Sequence, residues 1–328
     1  MSKIKVAQIG IGHDHAPLIF TSLVKQSEIF EIVGCYLPDG EEERFPEAVK
    51  RMEGYKRLNI EEIMENPEIV AVIIETEEKN LCKYALMAAQ HGKHIHMDKP
   101  GGMDETEFEK LIETVKAKNL IFHLGYMYRY NPEIIKLMSK EGREELGEII
   151  SIETHMNGIY PDTPEKRQWL SQFPGGNMFF LGCHMIDVII NLQGMPEKIT
   201  SFNKCTSAEN VTSKDFGMAV LEYPHGTSFV KVNAREIIGY CRRQIVVCGT
   251  KKTVEFKPIE VYLQDDLIRT DVCEYSYRGR NNRSSELFDR YDDMMAGFAA
   301  MVRGEKENPW SYEYELSLYR CILEACGR

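Results

Sequence analysis

Two short stretches carry residue types able to do chemistry. The first, "VAQIGIGHDHAP" at residues 6–17, sets Gly10 and Gly12 directly after an apolar run and just before Pro17, a residue suited to the first turn of a helix. Glycines in a strand-to-helix turn let the backbone approach a pyrophosphate, and the helix N-terminus adds oriented N–H groups. His15 stands where a third glycine would serve helix-to-strand packing. The second stretch, "HIHMDKPGG" at residues 94–102, ends an apolar run with Asp98 and Lys99. That is the carboxyl edge at which open α/β sheets bind ligands. Pro100 and the glycines behind it suit a positioned Lys99 ammonium, against the plainer alternative of a solvated surface lysine. Metal-ligand residue types are also present: His13 and His15 are two apart, and His94, His96 and Asp98 alternate along one strand face. Any strand alternates in this way, and no further ligand has a zinc-like spacing, so a structural role is preferred and no metal is expected.

These residues need elements to hold them. "KIKVAQI", "FEIVGCY", "IVAVII", "HIHMD" and "LIFHL" read as strands apolar enough to be buried on both faces, which predicts a parallel sheet. Between them "NLCKYALMAAQHG" reads as a helix closed by Gly92, and "DETEFEKLIETVKAKN" as a helix capped by Asp104 with Glu107 three residues on. The alternation predicts a doubly wound α/β domain over residues 1–124. From 125 to 328 the rhythm changes. A helix is predicted over 176–193, strands at 197–205, 216–223 and 227–234 with a turn at "PHG", and helices near 285–303 and 312–326. Consecutive short strands with hairpin turns predict antiparallel pairing in a second domain over residues 125–328.

Composition narrows the function classes. The 328 residues exceed what one core usually supports, which favours two domains. Lys and Arg number 40 against 51 Asp and Glu, a formal charge of −11, with no basic run to track a nucleic acid or an anionic membrane. No run is apolar enough to span a bilayer, and no signal-peptide pattern opens the chain, so a cytoplasmic protein is expected. Nine cysteines without a CxxC pair read as reduced thiols.

Taken together the motifs resemble the Gfo/Idh/MocA oxidoreductase family, named for glucose–fructose oxidoreductase and inositol dehydrogenase. The resemblance runs through "IGIG", "AAQHGKHIHMDKP", "GYMYRYNP", "GEIISI", "GGNMFFLGCHMID" and "LEYPHGTSFVKV". It implies a nicotinamide-binding Rossmann domain followed by an α/β domain with an open, largely antiparallel sheet for substrate binding and oligomerisation, substrates among sugars, polyols and their keto forms, Lys99 as the lysine that hydrogen-bonds the reacting oxygen, and His184 as general acid or base. The pairing is chemically sound, because alcohol oxidation needs a base for the hydroxyl proton and a cation for the developing alkoxide.

The chain departs from the family pattern at three points: Phe180 replaces the aspartate one turn before the histidine, "TEEKNL" keeps only Thr76 of its segment, and Leu37 replaces the ribose-binding carboxylate. Asp39 is either the ribose acceptor or a turn residue after Pro38, and the acidic run behind it favours NAD over NADP. The cofactor-binding set is therefore Gly10, Gly12, His13, Asp39, Thr76, Asp98, Lys99 and Arg129, the last either near the nicotinamide or paired with a carboxylate. For the substrate the candidates are His155, Trp169, Phe180 and Asp187; Asp187 either hydrogen-bonds His184 or serves the helix. The leading function is hydride transfer between a nicotinamide cofactor and a secondary alcohol or ketone of a sugar, polyol or related hydroxy compound. Two alternatives remain: redox-neutral, NAD-assisted sugar elimination or glycoside cleavage, and a non-catalytic nucleotide-binding regulator. A homodimer or homotetramer is expected, since too few helices follow the strands of 197–273 to cover both sheet faces.

Overall fold

The computed structural model describes residues 3–263 and 267–328. The chain divides into two compact units, residues 1–127 with 291–317, and residues 128–290 with 318–328.

The first unit is built on five parallel strands: β1 (Ile4–Ile9), β2 (Phe30–Tyr36), β3 (Ala71–Ile74), β4 (His94–Met97) and β5 (Phe122–Leu124), in the order β2-β1-β3-β4-β5. Val6, Ala7, Ile9 and all four residues of β3 are fully buried, as strands covered on both faces require. The order reverses between β1 and β3, and the carboxyl edge at such a switch point is the ligand-binding crevice of open α/β sheets. The helix Ala16–Lys25 follows β1 with Pro17 in its first turn, and Asp104 caps Glu105–Ala117 by accepting the Glu107 N–H. The segment 291–317 completes the unit from far along the chain. Phe298 stacks on His123 with ring centroids 5.6 Å apart, and the Asn308 amide donates to the Phe122 carbonyl.

In the second unit, eight strands run in the order β15-β14-β11-β10-β6-β9-β8-β7. They are β6 (Ile149–Asn157), β7 (Lys198–Lys204), β8 (Phe216–Tyr223), β9 (Gly226–Asn233), β10 (Gln244–Gly249), β11 (Thr253–Phe256), β14 (Asp271–Ser276) and β15 (Gly279–Ser284). Every neighbouring pair is antiparallel except β6 with β9. A small sheet of β12 (Val261–Tyr262), β13 (Leu267–Arg269) and β16 (Phe288–Asp289) sits beside it in sequence. One face of the large sheet buries Ile152, Thr154, Met156, Val230 and Val232, while Glu153 is exposed and Phe229 and Lys231 only half-buried on the other. The expected α/β architecture, a parallel Rossmann sheet followed by a largely antiparallel one, is what the chain adopts. Among the described residues no helix is long and apolar enough to cross a membrane.

Candidate functional site

At the switch point the turn after β1 is held very close to the end of β3. Gly10 has φ +87°, and a Cβ there would lie 2.5 Å from the Thr76 Cα, so only glycine fits. The next N–H groups face an anion supplied by the chain itself. Ile11 and Gly12 donate to Glu41 Oε2 at 2.7 and 3.1 Å, and the other carboxylate oxygen takes the Glu77 N–H at 3.2 Å and the Thr76 hydroxyl. Glu41 is completely buried. Glycine at the turn and backbone N–H groups turned toward negative charge are the features a dinucleotide needs, so the loop fits one, with the Glu41 carboxylate at its edge.

The acidic group of this crevice is thus Glu41 rather than Asp39, which lies exposed in the turn before it. Leu37, where a carboxylate was sought, instead packs against the apolar cluster of Ile11, Ala16 and Phe20. Sequence reasoning used the acidic run behind Asp39 only to favour NAD over NADP and singled out none of its members. The signal that singles out Glu41 is its place at the start of the short helix Glu41–Arg44, from which one acid turns inward.

At the end of β4, Asp98 Oδ1 accepts the Lys99 N–H at 2.6 Å, and Lys99 itself is buried. The Lys99–Pro100 peptide is cis. The Asp98 carboxylate also meets both loop histidines: its Oδ2 is 3.1 Å from His13 Nδ1 and 3.1 Å from His15 Nδ1. Burial pushes His15 down to about 4 despite the neighbouring Asp98, which keeps its ring neutral. Burial and the Asp98 charge raise the Glu75 carboxyl well above its ordinary range. The sequence reading, which tested His13 with His15 and Asp98 with His94 and His96 separately, missed that the fold joins the first pair to Asp98.

In the second unit the helix Cys183–Gln193 carries His184, preceded by a single wide π turn over Met178–Gly182. Gly176, at φ +61°, opens that turn where a Cβ would be 2.2 Å from the Lys214 carbonyl oxygen. His184 is buried against the edge of the Tyr128 ring, with centroids 5.5 Å apart. Tyr128 donates to Glu260 Oε2 at 3.0 Å, and the Arg290 guanidinium clamps the same carboxylate. Burial opposes ionisation of Glu260, but Arg290, Arg243 and the Tyr128 hydroxyl hold its carboxyl below the usual range.

Arg129 and Asp187 find each other. Arg129 Nη2 and Nε donate to Asp187 at 2.7 and 3.0 Å in a fully buried pair, and the Asn191 amide adds a third donor at 2.9 Å. For Arg129 this is the carboxylate-pairing alternative, with a buried partner, and Asp187 serves that pair. Phe180 stacks on Phe173 at 5.6 Å and meets the Trp169 edge at 5.0 Å, while the Lys166 ammonium lies 3.8 Å over the Trp169 ring. The aspartate of the family pattern is therefore replaced by an aromatic wall. His155 is placed differently from expectation. It shares the open face with Lys231, whereas the helix bearing His184 packs on the face of Met156 and Val232. Strand alternation sends neighbouring side chains to opposite faces, so His155 and His184 are on opposite sides of the sheet.

A parallel sheet whose first turn holds an anion, followed by a mixed sheet carrying a histidine helix, defines a class of two-part dinucleotide-fold proteins. Residues 4–126 match the oxidoreductase family model with an NAD-binding Rossmann fold, and residues 140–255 match the GFO/IDH/MocA C-terminal domain. The chain belongs to the GFO/IDH/MocA family of oxidoreductases. Over 224 residues it is 25% identical to scyllo-inositol 2-dehydrogenase (NADP(+)) IolW of Bacillus subtilis, covering 67% of this chain and 60% of that one. The match thus spans less than two thirds of that relative's length. A solved structure of a candidate NADPH-dependent oxidoreductase from Desulfitobacterium hafniense superposes with a TM-score of 0.80 at 19% identity, covering 100% of this chain and 95% of that one. UDP-N-acetylglucosamine 3-dehydrogenase GnnA from Acidithiobacillus ferrooxidans superposes at 0.76 with 15% identity, covering 99% and 97%. At these identities the likeness concerns the fold.

Proposed function

We propose that this oxidoreductase transfers a hydride between NAD and a secondary alcohol or ketone of a sugar, polyol or related hydroxy compound. The observation that carries the reading is the buried Glu41 carboxylate in the crevice after β1. A carboxylate there accepts ribose hydroxyls in exchange for the Thr76 hydroxyl, and its charge repels a 2′-phosphate. This favours NAD, although the name of the Bacillus subtilis relative specifies NADP(+).

Bound nicotinamide would supply the hydride acceptor or donor. Gly10 and Gly12 admit the dinucleotide to the backbone, and the Lys99 ammonium hydrogen-bonds the reacting oxygen and stabilises its negative charge. His184 takes the hydroxyl proton at an imidazole nitrogen as the carbon-bound hydrogen leaves with its electron pair, and returns it in the reverse direction. Tyr128, fixed by Glu260 and Arg290, holds the His184 ring in place. Trp169, half-buried and backed by the buried Phe180 and Phe173 rings, is an aromatic surface of the kind that stacks on the C–H face of a pyranose or cyclitol. The open sheet face, with Phe202 and Tyr275 exposed, supports pairing with a second copy, which light scattering at micromolar concentration tests. The functional test is a panel of sugars and polyols with NAD and NADP, followed by absorbance of the reduced nicotinamide. Turnover of a polyol or sugar with NAD is expected; binding of neither dinucleotide at millimolar concentration overturns the reading.

A further inference from the structure

We propose that His13, His15 and Asp98 form a binding site for one divalent transition-metal ion. Their three donor atoms lie within 4.8 Å of one another, and all three residues are buried. Donors on a tetrahedral ion with bonds of about 2.0–2.1 Å stand roughly 3.3 Å apart. The two distances from Asp98 Oδ2 to the histidine Nδ1 atoms, 3.1 Å each, are already close to that edge. Two imidazoles and one carboxylate suit zinc, cobalt or nickel rather than calcium or magnesium.

Hydrogen bonding supplies a second, independent observation. The His15 backbone N–H donates to His13 Nδ1 at 3.2 Å, so that nitrogen presents a lone pair. Asp98 Oδ2 faces the same nitrogen at 3.1 Å. Two acceptor atoms at this separation need an electrophile between them, either a ring proton on Nδ1 or a metal ion. An outer partner for a metal-bound imidazole stands nearby: among the described residues His13 Nε2 has no hydrogen-bond partner, and the buried Glu78 carboxyl lies 3.8 Å from it, a small shift from the hydrogen bond of a carboxylate–histidine–metal arrangement. The Lys99 N–H fixes Asp98 Oδ1 and so aims Oδ2 at the histidines. Lys99 carries an opposing charge that reaches His15, and the Asp98 carboxylate between them is the group that counters it. Only His15 of the trio reaches the surface, its side chain 11% exposed, which gives an ion a way in and leaves a fourth ligand position on that side.

The experiment is a Co²⁺ titration of the chelator-treated full chain, read by visible absorbance, with bound metal counted by mass spectrometry after Zn²⁺ loading. One ion per chain with intense tetrahedral cobalt bands is expected, together with perturbed Nδ1 resonances of two histidines in the unmodified protein. Binding should be lost in His15→Ala and Asp98→Asn, weakened about 10–100-fold in Glu78→Gln, and unchanged in the exposed control His225→Ala. No stoichiometric uptake by the unmodified chain assigns the intervening cation as a proton and overturns the proposal, as does binding that survives in folded His15→Ala. The readouts need no dinucleotide, so failure of the NAD assignment would leave this result standing.

Discussion

Replacing Glu41 by glutamine changes one oxygen to an amide in the centre of the dinucleotide crevice. In the native chain the carboxylate accepts from the Ile11, Gly12 and Glu77 N–H groups and the Thr76 hydroxyl, which fills its four acceptor positions. A glutamine amide keeps one accepting oxygen and turns two N–H donors toward donors already there. A buried donor left unpaired costs about 1–3 kcal/mol, so Glu41→Gln should lower stability by that order. Cofactor choice should change more. Two unit charges 4 Å apart interact by about 4 kcal/mol at an effective dielectric of 20, near a thousandfold in affinity. Allowing for screening of the 2′-phosphate by solvent and salt, the native protein should prefer NAD to NADP by about a hundredfold or more. In Glu41→Gln that preference should shrink to within about tenfold, while NAD binding weakens through loss of charged hydrogen bonds to the ribose of about 1.5–3 kcal/mol. Isothermal titration calorimetry with both dinucleotides, alongside circular dichroism to verify the fold, measures each quantity. The reasoning is refuted if the unmodified chain binds NADP as tightly as NAD, or if folded Glu41→Gln keeps both its affinity and its discrimination.

Removing the proposed catalytic groups should act on turnover. His184→Ala is expected to reduce kcat by about 10²–10⁴ with NAD affinity nearly unchanged, and Lys99→Ala should also impair it. Tyr128→Phe keeps the ring against His184 but frees the Glu260 carboxylate of one donor, so kcat should fall less than in His184→Ala, and a kcat equal to that of His184→Ala would assign Tyr128 a proton-transfer role. Asp187→Ala strands the Arg129 guanidinium in a buried site and should cost about 3–5 kcal/mol in urea unfolding, whereas a loss below 1 kcal/mol would show that water reaches the pair. Glu260 titrates lower in the folded chain than the ordinary 4.5, so its contribution is present above that value and lost as pH falls through the lowered folded value. Stability measured from pH 6 down to 3 should therefore drop more steeply in the native protein than in Glu260→Gln.

Much of the first unit was legible because its signals are local. Buried strands of near-continuous apolar sequence, Pro17 in a first turn and Asp104 at a cap each act within a few residues of themselves. The β8–β9 hairpin was visible for the same reason, its pairing closing across two residues at Tyr223 and Gly226. What depended on distant partners stayed hidden. Glu41 reaches back 30 residues to Ile11, Arg129 reaches 58 forward to Asp187, and Asp98 joins His15 across 83. No periodicity encodes such meetings. His155 was misplaced for a different reason: its strand was recognised, but which face would carry the His184 helix depends on packing that a single strand's pattern does not state.

The lone parallel pair in the large sheet has a consequence for how such a protein diversifies. Because β6 and β9 run the same way, the chain must travel from Asn157 back to Gly226 before the ladder resumes. That detour contains the aromatic loop, the wide turn, the helix of His184 and the β7–β8 arm. Its two ends are pinned, since the Gly158 N–H donates to the Asn233 carbonyl and Gly226 lies so close to Ile150 that a Cβ would be 2.0 Å from its carbonyl oxygen. The excursion behaves as a cassette plugged into fixed sockets. Changes in the loop between these anchors, away from Gly158 and the tightly packed Gly175 and Gly176, act on what the protein accepts more than on how its strands pair.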